Sequence, residues 1–102
     1  MDFYIYIIYS SSSDKFYIGH TEDPWRRVKE HNTDIHHKFT SNYIPWELQA
    51  VFMLNGSRGE AMKIEKFIKN QKSRNLILKL IDSHFKPEGI LAQLVRVPHA
   101  RD

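Results

Sequence analysis

The run YIYIIY at residues 4–9, followed by a polar gap at residues 10–15 and by FYIG at residues 16–19, decides the fold of this chain. β-Branched and aromatic residues on both sides of a polar gap predict two strands joined by a turn. Side chains alternate between the faces of a strand, so a turn of even length places Tyr6 and Tyr17 on the same face. A register slip of one residue would send them to opposite faces. On the hairpin alone, ordinary sheet packing explains the two tyrosines as readily as a shared site.

The segment after the hairpin predicts a helix that begins at Asp23-Pro24. Asp suits the N-cap and Pro suits the first helical position. At about 100° per residue, Arg27 and His31 lie one turn apart at the edge of the stripe that faces the sheet, whereas Arg26 points away. Arg27 and His31 are therefore either side chains that reach toward the sheet or surface residues that keep the helix soluble. Arg26 is expected to be solvated.

Length and composition restrict the class of protein. A chain of 102 residues, 41% hydrophobic and 26% charged, is expected to form one domain with a modest core. No apolar run approaches the roughly 20 residues that a membrane-spanning helix needs, and residues 1–3 carry no basic segment typical of a signal peptide. Cysteine is absent, which excludes disulfides, zinc–thiolate sites and thiol catalysis. A cytoplasmic protein is the expectation.

The net charge of +3 is a weak indication of contact with polyanions. The cations are not spread evenly, and five of them cluster between residues 60 and 75: Lys63, Lys66, Lys69, Lys72 and Arg74. The cluster predicts either a surface for backbone phosphates or the solvated face of an amphipathic helix. The sequence alone slightly favours the solvated face.

The middle of the chain predicts a third strand and two further helices. Residues 46–54 alternate in polarity, and the face expected to meet helices comprises Trp46, Leu48, Ala50, Phe52 and Leu54. Ser57 and Glu60 form a capping box for a helix over about 58–71, and a second apolar face predicts a helix up to about residue 82. Glu65 lies at the border of the inner stripe of the first helix. It is either half of an ion pair with Lys69 or a functional carboxylate.

Two segments are interpreted as irregular. Residues 33–45 predict a loop, in which the adjacent His36 and His37 are possible metal ligands. No second group of ligands accompanies them, so a polar segment without metal is favoured. Pro87 and Gly89 end regular structure, and residues 85–102 are expected to form a poorly ordered tail. Residues 1–84 are then the folded domain.

Several short motifs together resemble the GIY-YIG nuclease family in its small single-domain branch. The match comprises YIY at residues 4–6, YIG at residues 17–19, Arg26-Arg27, His31-Asn32, and Glu65 followed by Ile68-Lys69. It covers residues 3–82. Tyr4 stands where the family has its name-giving glycine, while the tyrosine of that motif is retained as Tyr6. The resemblance implies an α+β fold in which a small three-stranded antiparallel sheet is flanked by three helices.

The resemblance also implies a metal-dependent endonuclease that hydrolyses phosphodiester bonds in DNA through a single-metal site. Tyr6 and Tyr17 would hold or activate the attacking water, and which of them is the base stays open. Arg27 would stabilise charge on the scissile phosphate, and His31 would assist proton transfer or contact the phosphate. Glu65 would bind one Mg²⁺ or Mn²⁺. These residue types suit a reaction that needs a nucleophile, a proton acceptor and cations around the phosphate.

Nucleic-acid contacts are expected from two further positions besides the five clustered cations. Gly19 would allow close approach of the substrate to the backbone, and His20 stands where relatives often carry Lys or another polar residue. The expected partner is DNA, with no membrane and no small-molecule cofactor, and the chain is expected to be a monomer. Two alternatives stay open: a nucleic-acid-binding module of the same fold with little or no cleavage activity, and a scaffold that serves protein interaction.

Overall fold

The computed structural model describes residues 2–33 and 38–99 and shows a four-stranded antiparallel sheet with helices packed on both faces. The strands are β1 (Phe3–Ser10), β2 (Lys15–Thr21), β3 (Trp46–Leu54) and β4 (Val95–Val97), in the spatial order β2-β1-β3-β4. The helices are α1 (Pro24–Thr33), the single turn α2 (Lys38–Ser41), α3 (Arg58–Asn70) and α4 (Arg74–Ile81), and a 3₁₀ helix covers Gly89–Gln93. No helix in the described ranges is long and apolar enough to cross a membrane.

The hairpin of β1 and β2 has the register expected for a turn of even length. Ser10 pairs with Lys15 across a four-residue turn, and Tyr6 pairs with Gly19. The even-length turn places Tyr6 and Tyr17 on one face as diagonal neighbours, with ring centroids 6.4 Å apart. The predicted arrangement of the two tyrosines is confirmed.

Alternation along β1 divides the interior into two cores. The odd-numbered side chains of β1, including Ile5 and Ile7, pack with α3 and α4. The even-numbered side chains, including Tyr6 and Ile8, pack with α1 on the other face. Because β1 is covered on both faces, its sequence is apolar at nearly every position instead of alternating.

The prediction that β3 presents one continuous apolar face is wrong for its first half. Leu48 and Ala50 pair with consecutive residues of β1, so Gln49 between them is an extra residue that forms a β-bulge. One extra residue reverses the alternation of side chains. Trp46 and Leu48 therefore pack in the core beside α1, whereas Ala50, Phe52 and Leu54 pack beside α3 and α4.

Residues 89–97 are part of the fold, which corrects for these residues the expectation of a poorly ordered tail, and also corrects the expectation of three strands. β4 pairs with residues 51–53 of β3 and supplies the fourth strand. Leu91 and Leu94, each 5% exposed, belong to the core beside α3 and α4. The guanidinium of Arg96 donates to carbonyl oxygens at the C-terminal end of α4. A three-residue strand and a five-residue 3₁₀ helix are too short to show a periodicity in the sequence.

The helix starts agree with the predictions. Asp23 accepts a hydrogen bond from the backbone N–H of Arg26 at 3.1 Å, and Pro24 is the first residue of α1. Ser57 accepts from the backbone N–H of Glu60 at 3.2 Å, and α3 ends within one residue of its predicted end. These caps set where each helix begins, and so decide which of its side chains point toward the sheet.

Candidate active site

A buried hydrogen bond joins β1 to α1. The Tyr6 hydroxyl lies 2.8 Å from Nε2 of His31, and both residues are 1% exposed. Burial raises the pKa of Tyr6 well above its ordinary value, and Tyr17 acts in the same direction, while Arg27 opposes the rise. Tyr6 is therefore a neutral phenol at physiological pH. It can donate to an unprotonated Nε2 and accept from another donor at the same time.

Gly19 makes room for the Tyr6 ring. A Cβ atom at this position would lie 2.5 Å from the Tyr6 hydroxyl oxygen and 2.6 Å from its Cζ atom. Such distances are far below van der Waals contact, so any larger residue would displace the ring. The sequence motif YIG therefore has a structural reason of its own: the glycine of β2 lets the tyrosine of β1 lie across it.

Tyr17 is the more accessible of the two tyrosines and is half-buried on β2. Its ring centroid lies 4.9 Å from that of His31 and 6.4 Å from that of Tyr6. Nζ of Lys69 lies 5.4 Å from the centroid of the Tyr17 ring. Side chains from α1 and from α3 therefore meet at this one ring.

The two arginines of α1 have different surroundings. Arg26 is 63% exposed, as predicted, and its Nε lies 3.6 Å from Glu30. Arg27 is 27% exposed and donates to Glu30 at 2.9 Å. Burial by itself lowers the pKa of Arg27, but the bond to Glu30 and the nearness of Tyr6 outweigh burial and raise it. Arg27 is therefore a permanent positive charge close to the Tyr6 hydroxyl.

Glu65 occupies the border position on α3 that its spacing predicts, with its side chain 19% exposed. One carboxylate oxygen accepts from Nδ1 of His20 at 2.7 Å, and the other accepts from Nζ of Lys69 at 2.9 Å. The ion pair with Lys69 is the one that the i,i+4 spacing indicates. The bond from His20 joins residues 45 positions apart, and no local signal in the sequence indicates it.

One pocket of about 460 Å³ collects most of the predicted site. Its lining includes Tyr6, Tyr17, Arg27 and Glu65, together with the predicted contact residues Gly19 and His20. His31 lies next to the pocket through its bond with Tyr6. The five side chains assigned to catalysis and metal binding come from β1, β2, α1 and α3, and the fold brings them together.

Three charged residues of the same pocket were not singled out by the sequence. Glu30 binds Arg27, and Arg58 at the start of α3 lies 4.0 Å from Glu22 and over the Phe3 ring. Glu22 and Arg58 are exposed charges near the starts of α1 and α3, and such charges have no distinguishing pattern in the sequence. For Glu30, the i,i+4 spacing from Arg26 and the i,i+3 spacing from Arg27 are the signals that indicate ion pairs in advance.

The five clustered cations do not share one surface. Lys63, Lys66 and Lys69 line a groove of about 530 Å³ that also includes His20. Lys72 and Arg74 instead line a separate groove of about 480 Å³, which Lys69 also reaches. Lys69 therefore lines both grooves, and its bond to Glu65 links them to the pocket of about 460 Å³.

The donor set suits one hydrated divalent ion and not an ion enclosed by protein. Among residues 2–33 and 38–99, no three His, Asp or Glu side chains come together, and His36 and His37 lie outside the described residues. The Glu65 carboxylate accepts one hydrogen bond at each oxygen and so keeps lone pairs for a cation. Mg²⁺ is commonly held by one or two carboxylates, substrate phosphate and water. Glu65 fits that pattern.

Comparisons with known proteins agree with the motifs. The curated relatives matched include the "Structure-specific endonuclease subunit SLX1" of Cryptococcus neoformans var. neoformans serotype D, strains JEC21 and B-3501A, each 30% identical over 79 residues. The match covers 74% of this chain but only 16% of each relative. The NMR structure of the UPF0213 protein BH0048 from Bacillus halodurans is 31% identical, with 85% of this chain and 89% of that chain covered and a TM-score of 0.49. The model of the GIY-YIG catalytic domain matches residues 2–77, so this chain belongs to the GIY-YIG family.

Proposed function

We propose that this chain is a metal-dependent endonuclease that hydrolyses phosphodiester bonds in DNA. The observation that carries the proposal is the convergence of the Tyr6–His31 pair, Tyr17, Arg27 and Glu65 around one pocket. Membership of the GIY-YIG family supports the same class of reaction, as does the similarity to SLX1, a structure-specific endonuclease subunit.

In this proposal the two tyrosines divide the handling of the attacking water. Tyr17 is the more accessible and holds the water near the phosphate. Tyr6 accepts the water proton as it passes its own proton to Nε2 of His31, 2.8 Å away. The raised pKa of Tyr6 supports this role, because a buried phenolate would be costly and a concerted transfer avoids forming one.

Arg27 stabilises negative charge on the scissile phosphate. A guanidinium matches the geometry of two phosphate oxygens, and Arg27 is charged at every relevant pH. In the free protein its partner is Glu30, on the next turn of α1. A bound phosphodiester therefore replaces the Glu30 carboxylate as the anion beside Arg27. Since Arg27 is only 27% exposed, its guanidinium does not have to lose a full shell of water on binding.

Glu65 would hold the divalent ion, which supplies charge stabilisation at the phosphate oxygens and the leaving oxygen. His20 and Lys69 fix the orientation of the carboxylate from its two sides. Lys63 and Lys66, which extend from the same face of α3, contact the DNA backbone beside the pocket.

Nicking of supercoiled DNA with Mg²⁺ or Mn²⁺ tests the proposal. Glu65→Gln and Arg27→Ala should each reduce the rate at least 100-fold, on the order expected for loss of one electrostatic contact to the transition state. Glu60→Gln on α3 and Lys29→Ala on α1 are the matched controls, since both residues are exposed and lie outside the pocket lining. If the site variants cut as fast as the controls, the assigned site is wrong.

A nucleic-acid-binding module without cleavage activity is the second candidate. One observation favours it: Glu65 and Arg27 are each already engaged by internal partners of opposite charge. Salt-dependent binding of DNA without turnover under any divalent ion would select this function over the endonuclease.

A further inference from the structure

A second groove lies beside the candidate active site. Its volume of about 480 Å³ falls within the range of about 300–1,000 Å³ typical of small-ligand sites. Ile18, Ile68 and Ile77 contribute apolar walls. Tyr17 lines both this groove and the pocket of the candidate active site, and Lys69 lines both this groove and the groove that contains Lys63 and Lys66. The groove therefore begins where a phosphodiester would sit in the proposed reaction.

The same groove has a cationic rim, made by Lys69, Lys72 and Arg74. Apolar walls do not suit a phosphate, and a cationic rim does not suit a purely apolar ligand. A nucleotide has both parts, because its base has an extended face that stacks and its phosphate is anionic. The chemistry of the groove therefore matches one nucleotide of a nucleic-acid strand.

Arg74 is held in place at this rim. Its Cζ atom lies 4.9 Å from the centroid of the Phe16 ring, and that ring packs on Tyr9 with centroids 4.7 Å apart. Asp14 accepts from Nη2 of Arg74 at 2.5 Å and from the Tyr9 hydroxyl at 2.7 Å. These two bonds lower the pKa of Asp14, so it stays ionised. We call these four residues the Arg74 platform.

The Arg74 platform presents a planar cation that is 52% exposed. Guanidinium planes and aromatic rings are the surfaces on which bases of single-stranded nucleic acids stack. Because Asp14 and Phe16 already hold the Arg74 side chain, stacking a base on it costs little further conformational entropy. Bases inside a duplex are paired and stacked, so only an unpaired or extruded base can reach the platform.

We propose that this groove binds the base of one unpaired nucleotide next to the scissile phosphate, with Arg74 stacked on the base and Lys72 near a backbone phosphate. The inference rests on the proposed function and refines it, because the preferred substrate becomes a nucleic acid with an unpaired nucleotide at the cleavage site. It also changes the role expected of Arg74 from a phosphate contact to a base contact.

Two duplexes with a single-nucleotide bulge test the proposal, one with a base in the bulge and one with an abasic residue there. Fluorescence anisotropy without divalent ions measures the two dissociation constants. The parent protein should bind the base-containing duplex about tenfold more tightly. Arg74→Lys keeps the charge but loses the plane, so it should bind both duplexes with the affinity that the parent shows for the abasic one. Lys79→Ala, exposed on the same helix and outside the groove lining, should keep the parent preference.

Equal binding of the two duplexes by the parent protein, or an unchanged preference in Arg74→Lys, overturns the base-binding groove. If nicking activity is normal in the same preparation, the proposed function stands and only this inference fails. Failure to bind either duplex at low salt also overturns the inference, and together with an absence of nicking it overturns the proposed function.

Discussion

Replacing Gly19 by alanine tests the dependence of the site on the packing of the hairpin. The added Cβ would lie 2.5 Å from the Tyr6 hydroxyl oxygen, and ordinary contact begins at 3.4 Å, so the ring would have to retreat by about 0.9 Å. The hydrogen bond from Tyr6 to His31 is 2.8 Å long and weakens beyond about 3.2 Å. Both residues are almost fully buried, so His31 has little space in which to follow the ring.

We expect Gly19→Ala to lose about 1–3 kcal/mol in free energy of unfolding from overpacking. The nicking rate should fall about 100-fold, because a displacement of about 1 Å in a catalytic group costs on that order. Urea denaturation measures the first effect and nicking of supercoiled DNA the second. Gly59→Ala is the matched control, since its Cβ would lie 3.5 Å from Ser57 in ordinary contact. A Gly19→Ala protein with unchanged stability and unchanged rate would refute the packing of Tyr6 described above.

Two further predictions concern stability. Above the ordinary tyrosine pKa of 10.0, the unfolded chain releases the Tyr6 proton while the folded protein keeps it, so stability should fall with rising pH by up to about 1.4 kcal/mol per pH unit from this group. Urea denaturation on both sides of that pH measures the slope, which Tyr6→Phe should reduce; an equal slope in the variant would contradict the burial of Tyr6. Leu94→Ala should cost about 2–4 kcal/mol because Leu94 is 5% exposed, and Val95→Ala, at 56% exposed, about 1 kcal/mol or less. Equal losses in the two variants would contradict the docking of this segment.

Features that depend on neighbouring residues were predictable from the sequence. For a turn of even length, strand alternation alone places Tyr6 and Tyr17 on one face, and the observed turn has four residues. The starts of α1 and α3 were also predictable, because Asp23 and Ser57 cap the helices that begin directly after them. The phase of α3 then put Glu65 at the edge of its buried stripe, where the family motif expects it.

Features that depend on packing between distant segments were not predictable. The alternation of residues 46–54 is the same with or without a bulge, and only pairing with β1 shows that Gln49 is the extra residue. The bond between His20 and Glu65 joins a strand to a helix through tertiary structure alone. Arg74 was predicted as one of five equivalent cations, but its contacts with Asp14 and Phe16 distinguish it from the others.

The three residues of β4 bear on self-association. The backbone groups of residues 51–53 on the outer side of β3 pair with Val95–Val97 and are not available to a second chain. β4 is itself short, and a short strand at the border of a sheet is a poor template for intermolecular pairing. Any form of the protein that lacked it would present the apolar stretch around Phe52 with an open ladder of donors and acceptors, and β-type aggregation would then compete with folding.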